Sequence, residues 1–333
     1  MGFLDAGQGD CTVIVYPDNS ITVIDCGSTK NGAIVATPIQ QALALFLPNN
    51  NNTINNLVLT HADADHYNLV DTVLRGGNNP PTIQNVYYGC DLSLYSASLQ
   101  GWIGGLNAAN RFSPGGGAAF SSFNPDPNLS RGGVNAYILA CNCTGNSLAT
   151  DGPSKNANSL VIELVFQNTH IFLMGDGTAT TENFIINAAA ATGNNAFLTN
   201  AWQTALKMGH HGSNSSSSQA WIQAITPTAV FVSSDTRTFG GTGMPADTLL
   251  TSIQGWTAMA NLAPAHNYVR FNTNTQDFES VPAAPATTTL ELSSTLYSIY
   301  STGPGTFGSV GGSWYWSVQA PPGAPLIMYG FTG

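Results

Sequence analysis

Three apolar segments of this chain each end just before residues that commonly bind metal ions. They are Leu57–Thr60 followed by His61-Ala62-Asp63-Ala64-Asp65-His66, Ile171–Met174 followed by Gly175-Asp176, and Ala205–Met208 followed by Gly209-His210-His211. One strand cannot bring such side chains to one side, because successive side chains alternate between its faces. Loops at the carboxyl ends of neighbouring strands do converge, and α/β proteins bind ligands there. The pattern therefore requires a fold that gathers several strand ends.

The segment from His61 to His66 carries the strongest chemical signal. Four ionisable groups stand within six residues, with no lysine or arginine among them. Left bare, the acidic groups would repel one another, and a bound divalent cation reverses that cost. The alternative is an exposed acidic loop that merely contains histidines. The two further strand ends weigh against that alternative, so we predict a metal site.

Strands and helices alternate along most of the chain, which predicts an α/β fold. The predicted strands are 12–16, 21–24, 57–60, 82–88, 159–166, 170–174, 205–208 and 229–233, and the predicted helices are 33–47, 67–74, 181–190 and 246–259. Gly-rich and Asn/Pro-rich pieces between about 91 and 156 indicate an irregular insertion, which we interpret as a rim or lid over a site. We predict a hydrolase domain over 1–270 that includes this insertion, and a β-rich C-terminal extension over 271–333 packed on it.

Five short blocks follow one another in an order that resembles a known superfamily. They are Asp5-Ala6-Gly7-Gln8-Gly9-Asp10, Ile24-Asp25-Cys26-Gly27, Leu59-Thr60 with His61–His66, Gly175-Asp176, and His210-His211-Gly212-Ser213. Together they resemble the metallo-β-lactamase superfamily, and most closely the hydrolase domain attached to ComEC-type competence proteins. The blocks span about residues 3–213. The resemblance implies a metallo-β-lactamase-like αββα sandwich with a binuclear metal centre at one edge of the paired sheets.

The resemblance also implies a set of metal ligands made of three carboxylates and three histidines: His61, Asp63, Asp65, His66, Asp176 and His211. In that arrangement His61 and Asp63 bind one ion, Asp65 and His66 bind the other, and Asp176 bridges both.

One histidine of the pair His210-His211 should complete the second metal site. We favour His211 as the ligand and His210 as a group that supports the ligands or the transition state, although the sequence leaves the choice open. Asp25 resembles the aspartate that orients a ligand histidine, an interaction that fixes the ring and its tautomer.

Two departures from the commonest superfamily pattern affect the choice of metal. Asp63 stands where many members have histidine, and the histidine usually found before the strand near residue 160 is absent, with Asn156-Ala157-Asn158-Ser159 in its place. The ComEC-like branch shares both features. They give an oxygen-rich site, in which Mn²⁺ competes better than in a nitrogen-only site, while Zn²⁺ remains plausible. The implied cofactors are two divalent metal ions, Zn or Mn.

The implied activity is metal-dependent hydrolysis. We interpret the chain as a phosphodiesterase-like enzyme that uses a metal-bridged hydroxide. Asp65 or His210 would carry out the proton transfer. One alternative is hydrolysis of carboxylic esters, lactones or amides on the same centre, and another is a non-catalytic metal-binding protein. Lys207 and Arg237 are candidate contacts for an anionic substrate.

Composition limits the partners. The chain of 333 residues has 8 Lys+Arg against 18 Asp+Glu, a formal charge of −10. Since affinity for the phosphate backbone depends on Lys and Arg, an extended DNA-binding surface is excluded. We expect a small anionic substrate or a short nucleic acid, and no membrane partner, because no apolar run approaches about 20 residues.

The neutral polar composition favours an extracellular or periplasmic location and leaves a cytoplasmic one open. The five cysteines leave at least one thiol without a partner in the chain, and their disulfide state stays open.

Overall fold

The computed structural model describes residues 1–4, 6–29, 39–41, 43–167, 169–199, 203–235, 238–239, 241–256, 262–264, 268–281, 297–301, 313–317 and 327–331. The strands are β1 Gly2–Phe3, β2 Thr12–Val15, β3 Ile21–Ile24, β4 Thr53–Leu59, β5 Thr82–Tyr88, β6 Arg111–Phe112, β7 Asn135–Ala140, β8 Val161–Phe166, β9 Thr169–Leu173, β10 Gln203–Lys207, β11 Ala229–Val232, β12 Thr238–Phe239, β13 Thr242–Gly243, β14 Leu262–Pro264, β15 Tyr268–Asn272, β16 Asp277–Val281, β17 Tyr297–Ser301, β18 Ser313–Ser317 and β19 Ile327–Phe331. The α-helices are α1 Ala64–Tyr67, α2 Ala97–Gly105, α3 Gly152–Ala157, α4 Ala179–Ala191, α5 Asn195–Thr199, α6 Gln219–Ile225 and α7 Asp247–Gly255. Residues 39–41 and 43–46 are also helical, and Val70–Leu74 form a π-helical turn.

Two large sheets form the centre of the fold. The first has the order β19-β18-β1-β2-β3-β4-β5-β6, and the second has the order β14-β17-β11-β10-β9-β8-β7. In the first sheet β3, β4 and β5 are parallel, and in the second β9, β10 and β11 are parallel. The carboxyl ends within each parallel set therefore lie together at one edge of their sheet.

Apolar side chains that alternate along the strands build three core layers. In β4, Val58 belongs to the core between the sheets, whereas Leu57 belongs to the core under the helices of the first sheet. In β9, Ile171 faces the other sheet and Phe172 packs with the helices on the opposite face. This alternation follows from the period of two in a strand. The layers are helix, sheet, sheet and helix, so the predicted αββα sandwich is confirmed.

The predicted elements and the observed ones differ most in two regions. The stretch 91–156 contains more regular structure than its composition indicated, because β7 pairs with β8 and α2 and α3 are helical. The predicted extension contributes β17 to the second sheet, between β11 and β14, and adds β18 and β19 to the first sheet beside β1. The hairpin of β15 and β16 crosses the boundary predicted at residue 270. Of the predicted helix 33–47, residues 33–38 and 42 lie outside the described residues.

None of the helices among the described residues combines the length and the apolar character needed to cross a membrane. All five cysteines are unpaired thiols, of which Cys143 is partly exposed and the others are buried.

A buried acid–histidine pair lies in the second sheet. Glu163 Oε1 contacts His170 Nδ1, and the Glu163 side chain is fully buried. Burial raises the pKa of Glu163 from 4.5 to about 7, although the contact with His170 opposes that rise. Because the folded protein keeps this proton over a pH range where the unfolded chain has lost it, stability should fall as pH rises from about 4.5 to about 7.

We expect Glu163→Gln to remove this pH dependence, since glutamine keeps a polar partner for His170 without an ionisable group. The unfolding free energy of the variant minus that of the wild type should increase by up to about 3 kcal/mol from pH 5 to pH 8. The size follows because one pKa unit corresponds to about 1.4 kcal/mol. Urea unfolding of both proteins at the two pH values measures the difference. An equal difference at both values would contradict the prediction.

Candidate metal centre

The predicted ligand residues meet where the carboxyl ends of the central strands open between the two sheets. His61 and Asp63 follow β4, and Asp65 and His66 lie in α1 directly after them. Asp176 follows β9, and His211 follows β10. The structure thus brings together residues from three separated segments of the chain.

Asp176 lies at the centre of the cluster and is 3% exposed. Its Oδ1 is 3.1 Å from His66 Nε2, and its Oδ2 is 3.5 Å from His211 Nε2 and 3.8 Å from His61 Nε2. The Asp176 amide donates a hydrogen bond to Ser159 Oγ at 3.1 Å, which fixes the backbone at the end of β9. A single carboxylate therefore lies within 3.8 Å of three histidine nitrogens, and its bridging role stays a prediction.

The remaining two predicted carboxylate ligands lie beside different histidines. Asp63 Oδ2 is 3.6 Å from His61 Nε2, and Asp65 Oδ2 is 3.3 Å from His211 Nε2. Asp63 thus lies beside His61 and Asp65 beside His211, and their division between two ions stays a prediction.

Asp25 contacts the cluster through the ring of His66. Its Oδ2 lies 2.8 Å from His66 Nδ1, and its two carboxylate oxygens accept hydrogen bonds from the Thr60 backbone N–H and hydroxyl, both at 2.7 Å. A proton held at His66 Nδ1 by Asp25 leaves Nε2 free to face Asp176. Close backbone packing sets this arrangement, since a Cβ on Gly27 would lie 2.3 Å from the carbonyl carbon of Asp65. The structure places Asp25 where the sequence predicts an orienting group.

The two adjacent histidines point in different directions. His211 Nδ1 bonds the carbonyl of Ser233 at 2.8 Å, which turns its Nε2 into the cluster. His210 Nδ1 instead bonds Ser215 Oγ at 2.7 Å, and its Nε2 lies 3.1 Å from the side-chain amide of Asn156. Both residues have left-handed backbone angles, with φ of 45° and 52°. Such strain persists where the surrounding structure holds it, and it is concentrated at functional sites.

Sequence reasoning missed two residues beside Asp63. Lys155 Nζ contacts Asp63 Oδ1, and Asn156 lies against His61 and Asp63. Both residues stand at the end of α3, in the stretch that showed no strong periodic pattern.

A second lysine lies below the cluster. Lys207 is 3% exposed, and its Nζ contacts Asp10 Oδ2 and lies 3.5 Å from the Gly175 carbonyl. The expectation that Lys207 contacts a substrate anion is wrong, because its ammonium group is buried against Asp10. Asp5 and Arg237 lie outside the described residues.

The carboxylates of the cluster stabilise positive charge on its histidines. Burial would lower the pKa of His211, but Asp176 and Asp65 outweigh burial and raise it to about 9. Burial would likewise lower the pKa of His66, and Asp176 and Asp25 raise it well above its usual value. Burial would raise the pKa of Asp65, and the neighbouring histidines His211 and His66 instead lower it to about 2. A divalent cation would supply the positive charge that these carboxylates attract.

His210 differs from His211 in its charge state. Burial lowers the pKa of His210, and the neighbouring histidines lower it further against the opposing effect of Asp176. The lowered pKa of His210 favours its neutral form, which can accept a proton.

The donor atoms fit divalent ions. Three buried atoms of the cluster have no hydrogen-bond partner within the described part of the chain: His66 Nε2, His211 Nε2 and Asp176 Oδ1. Buried polar atoms are nearly always satisfied, so such a group needs an explanation, for which an ion is one candidate. Metal–ligand bonds of about 2.0–2.2 Å place neighbouring ligand atoms about 3.0–3.5 Å apart, close to the separations of 3.1 to 3.8 Å found around Asp176.

A two-sheet sandwich with a carboxylate–histidine cluster between its strand ends thus defines a candidate metalloprotein. The sequence model of the metallo-β-lactamase superfamily, whose members are mostly metal-dependent hydrolases, matches residues 4–88. The match includes His61–His66 and ends before Asp176 and His211. It supports the resemblance to the superfamily, but it does not identify the ComEC-type branch.

The chain is also similar, at low identity and low TM-score, to several solved structures. They include the metallo-β-lactamase fold protein YhfI from Bacillus subtilis, with 11% identity over 69% of this chain and 83% of that chain and a TM-score of 0.38. Human tRNase Z, short form, has 11% identity over 77% of this chain and 83% of that chain, with a TM-score of 0.33. CmlA β-hydroxylase has 10% identity over 69% of this chain and 45% of that chain, with a TM-score of 0.39. No curated protein sequence matches the chain.

Proposed function

We propose that the protein is a metal-dependent hydrolase that cleaves phosphodiester bonds in a small anionic substrate or a short nucleic acid. The observation that carries this proposal is the cluster of three histidines around Asp176, with Asp63 and Asp65 beside two of them and with buried nitrogen and oxygen atoms that lack a hydrogen-bond partner. We further propose that the site binds two divalent ions, Zn or Mn, and that the chain belongs to the ComEC-type branch. Both proposals rest on Asp63 and Asn156, which stand at positions where many superfamily members have histidine.

One cation beside the cluster, Lys155, supports a substrate with negative charge. Its Nζ contacts Asp63 Oδ1, whereas the ammonium group of Lys207 is buried against Asp10. Lys155 is the more accessible of the two, with 19% of its side chain exposed. Asp63 holds the partly exposed ammonium group of Lys155 beside the cluster, where it can bind an anionic oxygen.

Three residues beside the metal ligands have separate roles in this proposal. Two divalent ions held here would activate water and stabilise negative charge on the reacting group. Asp25 holds the His66 ring, so that Nε2 faces inward. His210, whose neutral form is favoured by burial, can accept a proton beside the cluster. Lys155 positions the anion.

The proposal is tested with bis-(p-nitrophenyl) phosphate and p-nitrophenyl acetate, using protein loaded with Mn²⁺ or Zn²⁺ and protein treated with chelator. We expect metal-dependent hydrolysis of the phosphodiester. Hydrolysis of the acetate alone would contradict the proposal and favour the carboxylic-ester alternative. Metal binding without either activity would favour a metal-binding protein.

Lys155→Met should weaken the phosphodiester substrate selectively. Hydrogen bonds to charged groups contribute about 1.5–3 kcal/mol, so we expect KM for bis-(p-nitrophenyl) phosphate to rise about tenfold or more. The kcat/KM for p-nitrophenyl acetate, which is neutral, should stay near the wild-type value. Arg111→Met is the matched control, because the Arg111 guanidinium bonds the Gly104 carbonyl at the surface. Equal losses on both substrates would show that Lys155 does not select the anion.

A further inference from the structure

Three tyrosines cluster at the end of the first sheet that carries the metal-ligand candidates: Tyr67, Tyr88 and Tyr95. Tyr88 is the last residue of β5 and pairs with Leu59, the last residue of β4, in the parallel ladder. The Gly89 N–H donates to the Leu59 carbonyl at 2.9 Å, and a Cβ on Gly89 would lie 2.1 Å from the Thr60 carbonyl oxygen. The segment after β5 is therefore packed directly against the residue that precedes His61.

The buried ring of Tyr95 holds the other two rings in place. Tyr95 is 3% exposed, and its hydroxyl donates to the Gly89 carbonyl at 2.8 Å. The centroid of the Tyr67 ring lies 5.1 Å from that of Tyr95, and the Tyr88 ring meets Tyr95 edge-on at 6.5 Å. Both Tyr67 and Tyr88 are only partly buried. Because tilted and edge-on ring pairs are stabilising, the exposed parts of these two rings are held by packing.

Tyr67 lies one helical turn beyond Asp63. Asp63 is the residue before α1 and Tyr67 is its last residue, and residues four apart lie on the same side of a helix. Burial raises the pKa of Tyr67, Lys155 opposes that rise and Asp63 adds to it, so both charges act on the phenol. Since Lys155 Nζ contacts Asp63 Oδ1, an anion bound by Lys155 would lie close to the Tyr67 side chain.

The charge of the chain shows why such a ring matters for a phosphate ester. With 8 Lys+Arg in 333 residues, few cations are available to bind the phosphates of a nucleic acid. Stacking on aromatic side chains is the other main source of affinity for single strands, and it needs only the π-face of a base. A ring fixed beside one lysine therefore suits a substrate with one phosphate at the site and one aromatic group next to it.

We propose that Tyr67 binds the planar aromatic group of a phosphate ester whose phosphate lies at the metal centre and Lys155. The substrates are then aryl or nucleoside phosphodiesters, which share this group. The inference rests on the proposed function, because it places the phosphate at the cluster. Tyr95 is a positioning residue, since it acts by holding the Tyr67 ring.

Binding of phosphate monoesters to Mn²⁺-loaded protein, measured by isothermal titration calorimetry, tests the proposal without an activity assay. Methyl, cyclohexyl and phenyl phosphate and adenosine monophosphate share the phosphate and differ in the attached group. The wild type should bind the two aromatic esters at least about fivefold more tightly than the other two, because stacking of one base on an aromatic side chain contributes about that factor or more. Tighter binding of adenosine monophosphate than of phenyl phosphate would support a nucleotide, and the reverse order would support an aryl ester.

Three variants locate the effect. Tyr67→Leu removes the ring and keeps an apolar side chain, so it should abolish the preference and leave the Kd for methyl phosphate near the wild-type value. Tyr67→Phe keeps the ring and should keep the preference. Tyr137→Leu is the matched control, because Tyr137 makes a similar ring contact, with Phe197 at 4.7 Å, from β7 of the second sheet.

The outcomes separate the role of Tyr67 from the hydrolase itself. A preference for aromatic esters that survives in folded Tyr67→Leu, or that is lost in folded Tyr67→Phe, would overturn the assignment. Equal affinities of the wild type for phenyl and cyclohexyl phosphate would overturn it even if Tyr67→Leu did not fold. In each of these cases, metal-dependent hydrolysis of bis-(p-nitrophenyl) phosphate would leave the proposed function standing. No binding of any of the four esters would contradict the proposed function, and this inference with it.

Discussion

Asp176→Ala should lose both metal retention and hydrolysis. Asp176 is the carboxylate that lies beside His61, His66 and His211, so its removal takes one ligand from each predicted ion. We expect turnover to fall by about three orders of magnitude or more, because metal ions supply several kcal/mol of stabilisation and each 1.4 kcal/mol is worth about a factor of ten.

The same substitution should change the titration of the metal-free protein. The pKa of His211 is about 9 in the presence of Asp176, the strongest of the neighbours that raise it against burial. In Asp176→Ala the pKa of His211 should fall toward the ordinary histidine value, which NMR of the imidazole ring can follow. Metal content and turnover are compared with those of Asp18→Asn, a control at an exposed turn carboxylate that accepts a hydrogen bond from Ser20. A metal-replete, active Asp176→Ala protein would contradict the metal centre.

Lys207→Met should be the most destabilising single substitution among those considered. Lys207 and Asp10 form a buried ion pair, with side-chain exposures of 4% and 3%. Removing one partner leaves a buried charge without compensation, which typically costs about 3–5 kcal/mol. Nearby His66 Nδ1, 3.7 Å from Asp10 Oδ2, is already bonded to Asp25 and cannot replace the ammonium group.

The double variant Asp10→Asn/Lys207→Met distinguishes a lost ion pair from a packing defect. Since the double variant leaves no unpaired charge, it should recover most of the lost unfolding free energy. Urea denaturation of the four proteins, with metal removed by chelator, completes the cycle. The ion-pair account would be wrong if Lys207→Met unfolded within about 1 kcal/mol of the wild type or if the double variant were no more stable than the single one.

Much of the fold and of the cluster could be predicted because the signals are local. An apolar strand followed at once by His61–His66 or by Asp176 shows both the strand and the chemistry at its end, and parallel strands then bring those ends together. The ligand roles themselves stay predictions until a metal is measured. The αββα layering followed from the resemblance of the blocks, and the alternating burial of Leu57 and Val58 shows its physical basis.

The contacts that sequence reasoning missed depend on long-range packing. Lys155 reaches Asp63 across 92 positions, and Lys207 reaches Asp10 across 197. No local pattern marks either pair. The orientations of His210 and His211 could not be decided from their spacing, because left-handed backbone angles and bonds to Ser215 and Ser233 turn the rings apart. The stretch 91–156 looked irregular because its helices α2 and α3 span only nine and six residues and stand among Gly-, Asn- and Pro-rich segments.

The central claim is that the cluster around Asp176 holds divalent metal. Crystals grown with Mn²⁺ or Zn²⁺ and measured on both sides of the metal absorption edge test it most directly. The account predicts anomalous peaks within bonding distance of Asp176, one beside His61 and Asp63 and one beside His66 and His211. Peaks confined to other parts of the molecule, or none at saturating metal, would contradict it.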